Sequence, residues 1–297
     1  MIGRRLFTAV AAAGMVCLAA GTSAQAQQIV IGSKGFTEQL LIAEMTSQLL
    51  KANGFTPDKR AGMGSAVLRK AIESNQVDMC WEYTGTSLIT YNKITDRMST
   101  EDTYKKVKEI DGKIGLVWLD PSKANNTYAI AMSKDGVEKS GIKTLSDYAK
   151  AVNAGKAPTL ALNAEFAGRP DGLPGLEKEY GFKMPLDKVK KMDTGLTYQA
   201  LRDKQVDSTL VFATDGRVAA FDFVILKDDK GFFPPYSLTP VVRKEVLDKN
   251  PKLGPVLNKL SAKLDDATMA KLNAMVDVDK KPVEEVAGTF LKQQGLI

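Results

Sequence analysis

The feature that most constrains this chain is an internal echo. Residues 76–86 read QVDMCWEYTGT and residues 205–214 read QVDSTLVFAT, so one Gln-Val-Asp triplet twice opens an apolar run that ends near an aromatic. An offset of 129 places Asp78 on Asp207 and Tyr83 on Phe212, and it carries Ala71-Ile72 onto Ala200-Leu201 inside short amphipathic helical patterns. Helix, turn, strand and aromatic tip therefore occur twice, far apart. Two related α/β halves, each offering a ring at a strand end, make a cleft rather than a single sheet. The plainer alternative is a common helix-to-strand turn used twice.

The flanking segments extend the pattern. Gln28–Gly32 is an apolar strand, Ser33–Thr37 a tight loop, and Glu38–Lys51 has helical spacing closed by Asn53-Gly54. Strand, loop and helix start in that order present free backbone N–H groups to an anion, and Lys34 adds a positive charge there. An ordinary turn with a solvated lysine is the alternative. Gly62-Met63-Gly64-Ser65 opens a second helix but lacks the GxxxxGK[ST] nucleotide pattern. Ser99 with Asp102 resembles a helix cap. From about Lys134 strands and helices alternate again, and beyond residue 250 the pattern is helical. The chain crosses between halves near Asn126–Tyr128 and Pro235–Tyr236. The expected division is a discontinuous first lobe, 27–129 with 237–297, and a second lobe, 130–236.

The first 26 residues read as a cleavable export signal. Arg4 and Arg5 are followed by an apolar run too short to span a bilayer, and Ala24-Gln25-Ala26 is a small-residue cleavage site. Removing them takes Lys and Arg from 41 to 39 against 35 acids, scattered along the chain, which argues against a nucleic-acid surface. Of two cysteines only Cys80 stays, so no intramolecular disulfide forms. Cys80 and Trp81 read as buried strand packing. There is no histidine, which excludes Ser-His-Asp and Cys-His catalysis; with one thiol, no metal or cofactor is expected. These traits favour a binding protein over an enzyme.

Four rings have a reason to meet: Tyr83 and Phe212 at equivalent strand ends, Tyr128 and Tyr236 at the crossings. A cage of ring faces suits a cation that cannot donate hydrogen bonds, each desolvated contact contributing about 0.5–2 kcal/mol. Lys34 and Arg169 could grip a carboxylate, Arg with a planar fork and Lys as a point charge. For any single ring, core packing is the competing role.

GSKGFTEQ (32–39), EYTGT (82–86), NNTYAIAM (125–132), GRPDGLPGL (168–176), ATDGRV (213–218), LKDDKGFFPPY (226–236) and PVVR (240–243) stand in the order seen in one family. The chain, from about residue 28 to its end, resembles the periplasmic substrate-binding proteins of glycine betaine/choline-type ABC importers. The resemblance implies an α/β, two-lobed type II periplasmic binding protein fold that closes by a hinge over a ligand in the interlobe cleft. It implies no catalysis, a monomeric receptor in the periplasm, and delivery of cargo to a membrane permease driven by an ATPase. It also implies a cation cage from Tyr83, Tyr128, Phe212 and Tyr236, with Asn126 offering a backbone oxygen, and carboxylate contacts from Lys34, Thr86 and Arg169. Phe212 stands where the family often has tyrosine. The ring face is kept and a hydroxyl is lost, a change of about 1 kcal/mol in binding. Two other classes stay open: the same architecture for an amino acid or polyamine, and an exported enzyme using Cys80 or a carboxylate pair.

Overall fold

The computed structural model describes residues 27–297; the expected export signal lies outside the described residues. Among the described residues there are ten strands: β1 (Gln28–Lys34), β2 (Thr56–Met63), β3 (Met79–Tyr83), β4 (Leu116–Trp118), β5 (Tyr128–Ser133), β6 (Leu160–Leu162), β7 (Val189–Lys191), β8 (Ser208–Phe212), β9 (Phe223–Ile225) and β10 (Leu238–Arg243). They form two five-stranded sheets, ordered β2-β1-β3-β10-β4 and β7-β6-β8-β5-β9. In each, the first three strands are mutually parallel and the next two pairings are antiparallel. The two sheets share one topology.

The echo in the sequence is thus structural. The Asp78 carboxylate accepts from the Val30 N–H at 2.8 Å, while the Asp78 N–H donates to the Val30 carbonyl at 2.9 Å. At the same offset, Asp207 accepts from the Thr159 N–H at 2.8 Å and donates its own N–H to the Thr159 carbonyl at 3.0 Å. Each aspartate locks a new central strand to its parallel neighbour, which is why Gln-Val-Asp opens both strands.

Among the described residues, twelve α-helices surround the sheets. In the first half are α1 (Thr37–Ala52), α2 (Ser65–Glu73) and α3 (Thr100–Gly112). In the second are α4 (Lys134–Ser140), α5 (Leu145–Asn153), α6 (Leu173–Tyr180), α7 (Thr194–Arg202) and α8 (Arg217–Ala220). The tail folds as α9 (Lys244–Lys249), α10 (Leu253–Ser261), α11 (Asp266–Asp277) and α12 (Val283–Gln293), and the last three pack on α1. Helix α1 is therefore enclosed by sheet and tail, burying Leu41, Ile42, Met45, Leu49 and Leu50 at helical spacing. Strand β3 buries both faces: Trp81 and Tyr83 join the core that includes α1, and Cys80 joins the core beneath α2 and α3.

Two features differ from the sequence reading. Strand β2 (TPDKRAGM) carries Pro57, Asp58, Lys59 and Arg60, has no buried position, and gives no apolar signal; it is an edge strand, where such residues belong. Strand β5 starts at Tyr128, so Tyr128 and Ala129 pair with Phe212 and Val211 in the second sheet rather than joining the first lobe. The apolar run YAIAM is buried from its first residue, which pulls the strand back to the crossing itself.

The crossings pair with each other. The Asn126 N–H donates to the Tyr236 carbonyl at 3.1 Å, and the Leu238 N–H to the Ala124 carbonyl at 3.0 Å. The Tyr236 N–H donates to Asn125 Oδ1 at 2.7 Å. The ribbon is pinned to the end of β3 by Thr84, whose N–H donates to the Ser237 carbonyl at 3.2 Å and whose hydroxyl accepts from the Ser237 N–H at 3.0 Å.

Candidate ligand-binding cleft

Parallel strands end together, and here the ends of β1, β2 and β3 face those of β6, β7 and β8 across a cleft of about 530 Å³. Its walls are the loops after those strands: Lys34–Phe36, Gly62–Ser65, Asn163–Glu165 and Lys191–Gly195. These loops correspond through the same offset of 129, which carries Phe36 onto Glu165 and Ser65 onto Thr194. Lys34, Tyr83, Thr86, Asn126, Tyr128, Arg169, Phe212 and Tyr236 all line this one cleft.

Five rings form an arc. Tyr236 meets Tyr128 edge-on at 5.3 Å, and Tyr128 meets Phe212 at 5.2 Å. Phe212 stacks on Phe36 at 5.4 Å, and Phe36 stacks on Tyr83 at 6.3 Å. The order runs from the crossing through the second sheet to the first. Phe36 has no role in the sequence reading; its only signal there is its place in the same loop as Lys34. Close approach of the ribbon needs Gly85, where a Cβ would lie 2.8 Å from the Pro235 carbonyl oxygen and 2.9 Å from the Tyr236 ring.

Both expected anion-binding cations already have partners. Lys34 Nζ lies 2.6 Å from Glu82 Oε1 and 5.0 Å from the Tyr83 ring centroid. Arg169 grips Asp171 with Nε at 2.8 Å and Nη2 at 2.5 Å, and Nη2 also reaches the Thr86 hydroxyl at 3.2 Å, joining the two halves. The Tyr236 hydroxyl donates to the same Asp171 at 2.7 Å. Burial alone would lower the Arg169 guanidinium, but Tyr128 and the Asp171 carboxylate together outweigh it and raise it further.

Thr86 opens a π-helical turn, Thr86–Tyr91, a form that recurs at functional sites. The turn is held from below by the buried Asp111, which accepts from the Ser87 hydroxyl at 2.9 Å, the Trp118 indole at 2.8 Å and Asn92 at 3.2 Å. Arg69 meets Asp111 bidentately at 2.9 and 2.7 Å.

Glu38 is the second buried carboxyl that pattern alone did not single out. It accepts from Tyr83 and Asn126 at 2.8 Å each, from Asn273 at 3.2 Å, and from the Thr214 hydroxyl. Burial raises its pKa, and the four donors partly offset that. One carboxyl thus ties β3, the crossing, the end of β8 and α11 together.

Residues 27–293 match the family model described as the substrate binding domain of ABC-type glycine betaine transport system. The chain belongs to this family. The glycine-betaine-binding protein of Pseudomonas aeruginosa is 42% identical over 280 residues, covering 92% of this chain and 90% of that one. The glycine betaine-binding protein YehZ of Escherichia coli is 35% identical, covering 91% and 92%. A crystal structure of a glycine betaine/carnitine/choline ABC transporter protein superposes with a TM-score of 0.72 at 30% identity, over 90% of this chain and 99% of that one.

As a substrate-binding protein of an ABC-type transporter, the chain places its cleft where its repeated strands end. In this binding protein no helix among the described residues is long and apolar enough to cross a membrane. Cys80 is buried in the strand, as expected, and that burial pushes its thiol up.

Proposed function

We propose that the cleft captures glycine betaine or a related quaternary-ammonium osmolyte, such as choline, carnitine or proline betaine. The arc of five rings drawn from both halves is the observation that carries this reading. A methylated nitrogen offers no N–H, so ring faces suit it better than hydrogen-bond acceptors, at about 0.5–2 kcal/mol per contact. The cage comprises Tyr83, Tyr128, Phe212 and Tyr236 with Phe36 added, and the Asn126 carbonyl completes it.

The other end of a zwitterion meets Arg169, Thr86 and Lys34. Arg169 commits Nε and Nη2 to Asp171 and Thr86, which leaves Nη1, 3.6 Å from Glu165, for a carboxylate oxygen. A primary ammonium would want carboxylates of its own. Glu82 and Asp171 are already engaged by Lys34 and Arg169, which disfavours an amino acid or polyamine.

In this reading the receptor is a monomer of the periplasm, exported by residues 1–26, without enzymatic activity. It moves as two lobes about the paired crossings and presents its cargo to a permease with an ATPase partner. Calorimetric titration of the chain from residue 27 against glycine betaine, choline, carnitine, proline betaine and ordinary amino acids tests the assignment. Saturable binding of the methylated compounds is the expected result; binding of a primary amino acid alone would overturn it.

A further inference from the structure

Tyr83, Tyr128, Phe212, Tyr236 and Thr86 are each less than one-tenth exposed, so a ligand reaches them only when the halves part. Whatever bridges the mouth then governs how long the ligand stays. Arg169 to Thr86 is one bridge, and it belongs to the site described above. A second bridge stands at the wall of the same cleft, on a carboxylate 3.6 Å from Arg169 Nη1. Glu165, in the loop after β6, accepts from the Ser65 N–H at 2.7 Å and from the Ser65 hydroxyl at 2.8 Å. Ser65 is the first residue of α2 in the other half, where unpaired N–H groups and the helix dipole favour a negative charge.

The contact is built. Position 64 carries no side chain, and a Cβ there would sit 3.2 Å from Glu165 Oε1. Burial would raise the Glu165 carboxyl, but the Ser65 N–H and the charge of Lys34 outweigh it, so the group stays ionised. Glu165 is also the repeat partner of Phe36. Where the first half sends a ring into the cleft, the second sends a carboxylate across it.

Resting on the reading of the cleft as the ligand site, we propose that Glu165 is a clasp between the halves and sets ligand residence time by holding α2 of the first half against the second. The clasp forms only when the mouth is shut. Its loss therefore accelerates opening.

The test uses the chain from residue 27 with Glu165→Ala, Glu165→Gln, Ser65→Ala and the Glu165→Ala/Ser65→Ala double variant. Without ligand, small-angle scattering of Glu165→Ala gives a larger radius of gyration, and hydrogen exchange rises in peptides covering the start of α2. With glycine betaine, stopped-flow dissociation is about tenfold faster, and Ser65→Ala, which keeps the Glu165–Arg169 contact, moves it in the same direction. Glu165→Gln falls between, because its carbonyl still accepts the Ser65 N–H. The double variant is non-additive, as two partners in one contact require. Unchanged scattering and dissociation, an effect confined to association, additive variants, or a loss of thermal stability that accounts for the change would each overturn the clasp. Should the wild type not bind glycine betaine, the cargo assignment fails while scattering and exchange still decide the clasp.

Discussion

The Tyr83 hydroxyl donates to Glu38 at 2.8 Å, and the same carboxyl takes the Thr214 hydroxyl from the opposite half of the molecule. A ring of the arc is thereby oriented by a group that also touches the end of β8 and, through Asn126, the crossing. The tilt of that ring and the seating of the two halves depend on one side chain.

Replacing Glu38 by Gln puts an N–H₂ group among four donors, and one or more of them lose their acceptor. Binding of glycine betaine is expected to weaken by about 1–3 kcal/mol, the usual cost of a buried donor left unmade. Calorimetric titration measures it, with a thermal melt separating a binding loss from unfolding.

Phe36 stacks between Tyr83 and Phe212 and is only partly buried. Phe36→Leu keeps an apolar body and removes the π face. We expect affinity for a quaternary ammonium to fall by about 0.5–2 kcal/mol with little change in melting temperature. Titration with glycine betaine and with choline checks this, and both should lose affinity alike because both present the same cation.

Arg169→Lys separates the two ends of the ligand. A lysine cannot hold Asp171 through two nitrogens while reaching Thr86. Affinity for glycine betaine should drop more than affinity for choline, which lacks the carboxylate. Parallel titrations of the variant against both compounds give the comparison.

Asp111 makes stability pH-dependent. Burial alone would raise its carboxyl, but the Arg69 pair, with Trp118 and Asn92, holds it below the ordinary 3.8. A depressed acid stabilises the fold above its unfolded value, and that contribution is lost as pH falls through the folded one. Asp111→Asn should cost about 1.5–3 kcal/mol near neutral pH, because Arg69 loses its bidentate partner and keeps only Glu73. Its melting temperature should then change less than that of the wild type between about pH 5 and about pH 3. Thermal unfolding across that range is the measurement.

Much of this architecture was legible because apolar runs and turn residues mark buried strands, and because Asp78 and Asp207 repeat a lock that needs an acid at one place only. The eight cleft residues were readable from motifs in a fixed order. Edge strand β2 was not, since a solvated edge asks for charge rather than apolar residues. Glu38 and Asp111 were hidden for another reason. An acid in the first turn of α1, or near the end of α3, looks like surface until the register of β3 and the crossing brings donors around it. The same holds for Glu82 and Asp171, whose pairing with Lys34 and Arg169 depends on loop conformation.

Strand β4 finds its neighbour only in β10, which joins the first sheet some 120 residues later in the chain. A nascent polypeptide emerging from the ribosome amino end first holds β1 to β4 long before it holds the strand that completes them. The first half is therefore assembled last, together with the tail helices that cover α1, and a product truncated before Leu238 lacks the strand that joins β3 to β4 and pairs with the first crossing.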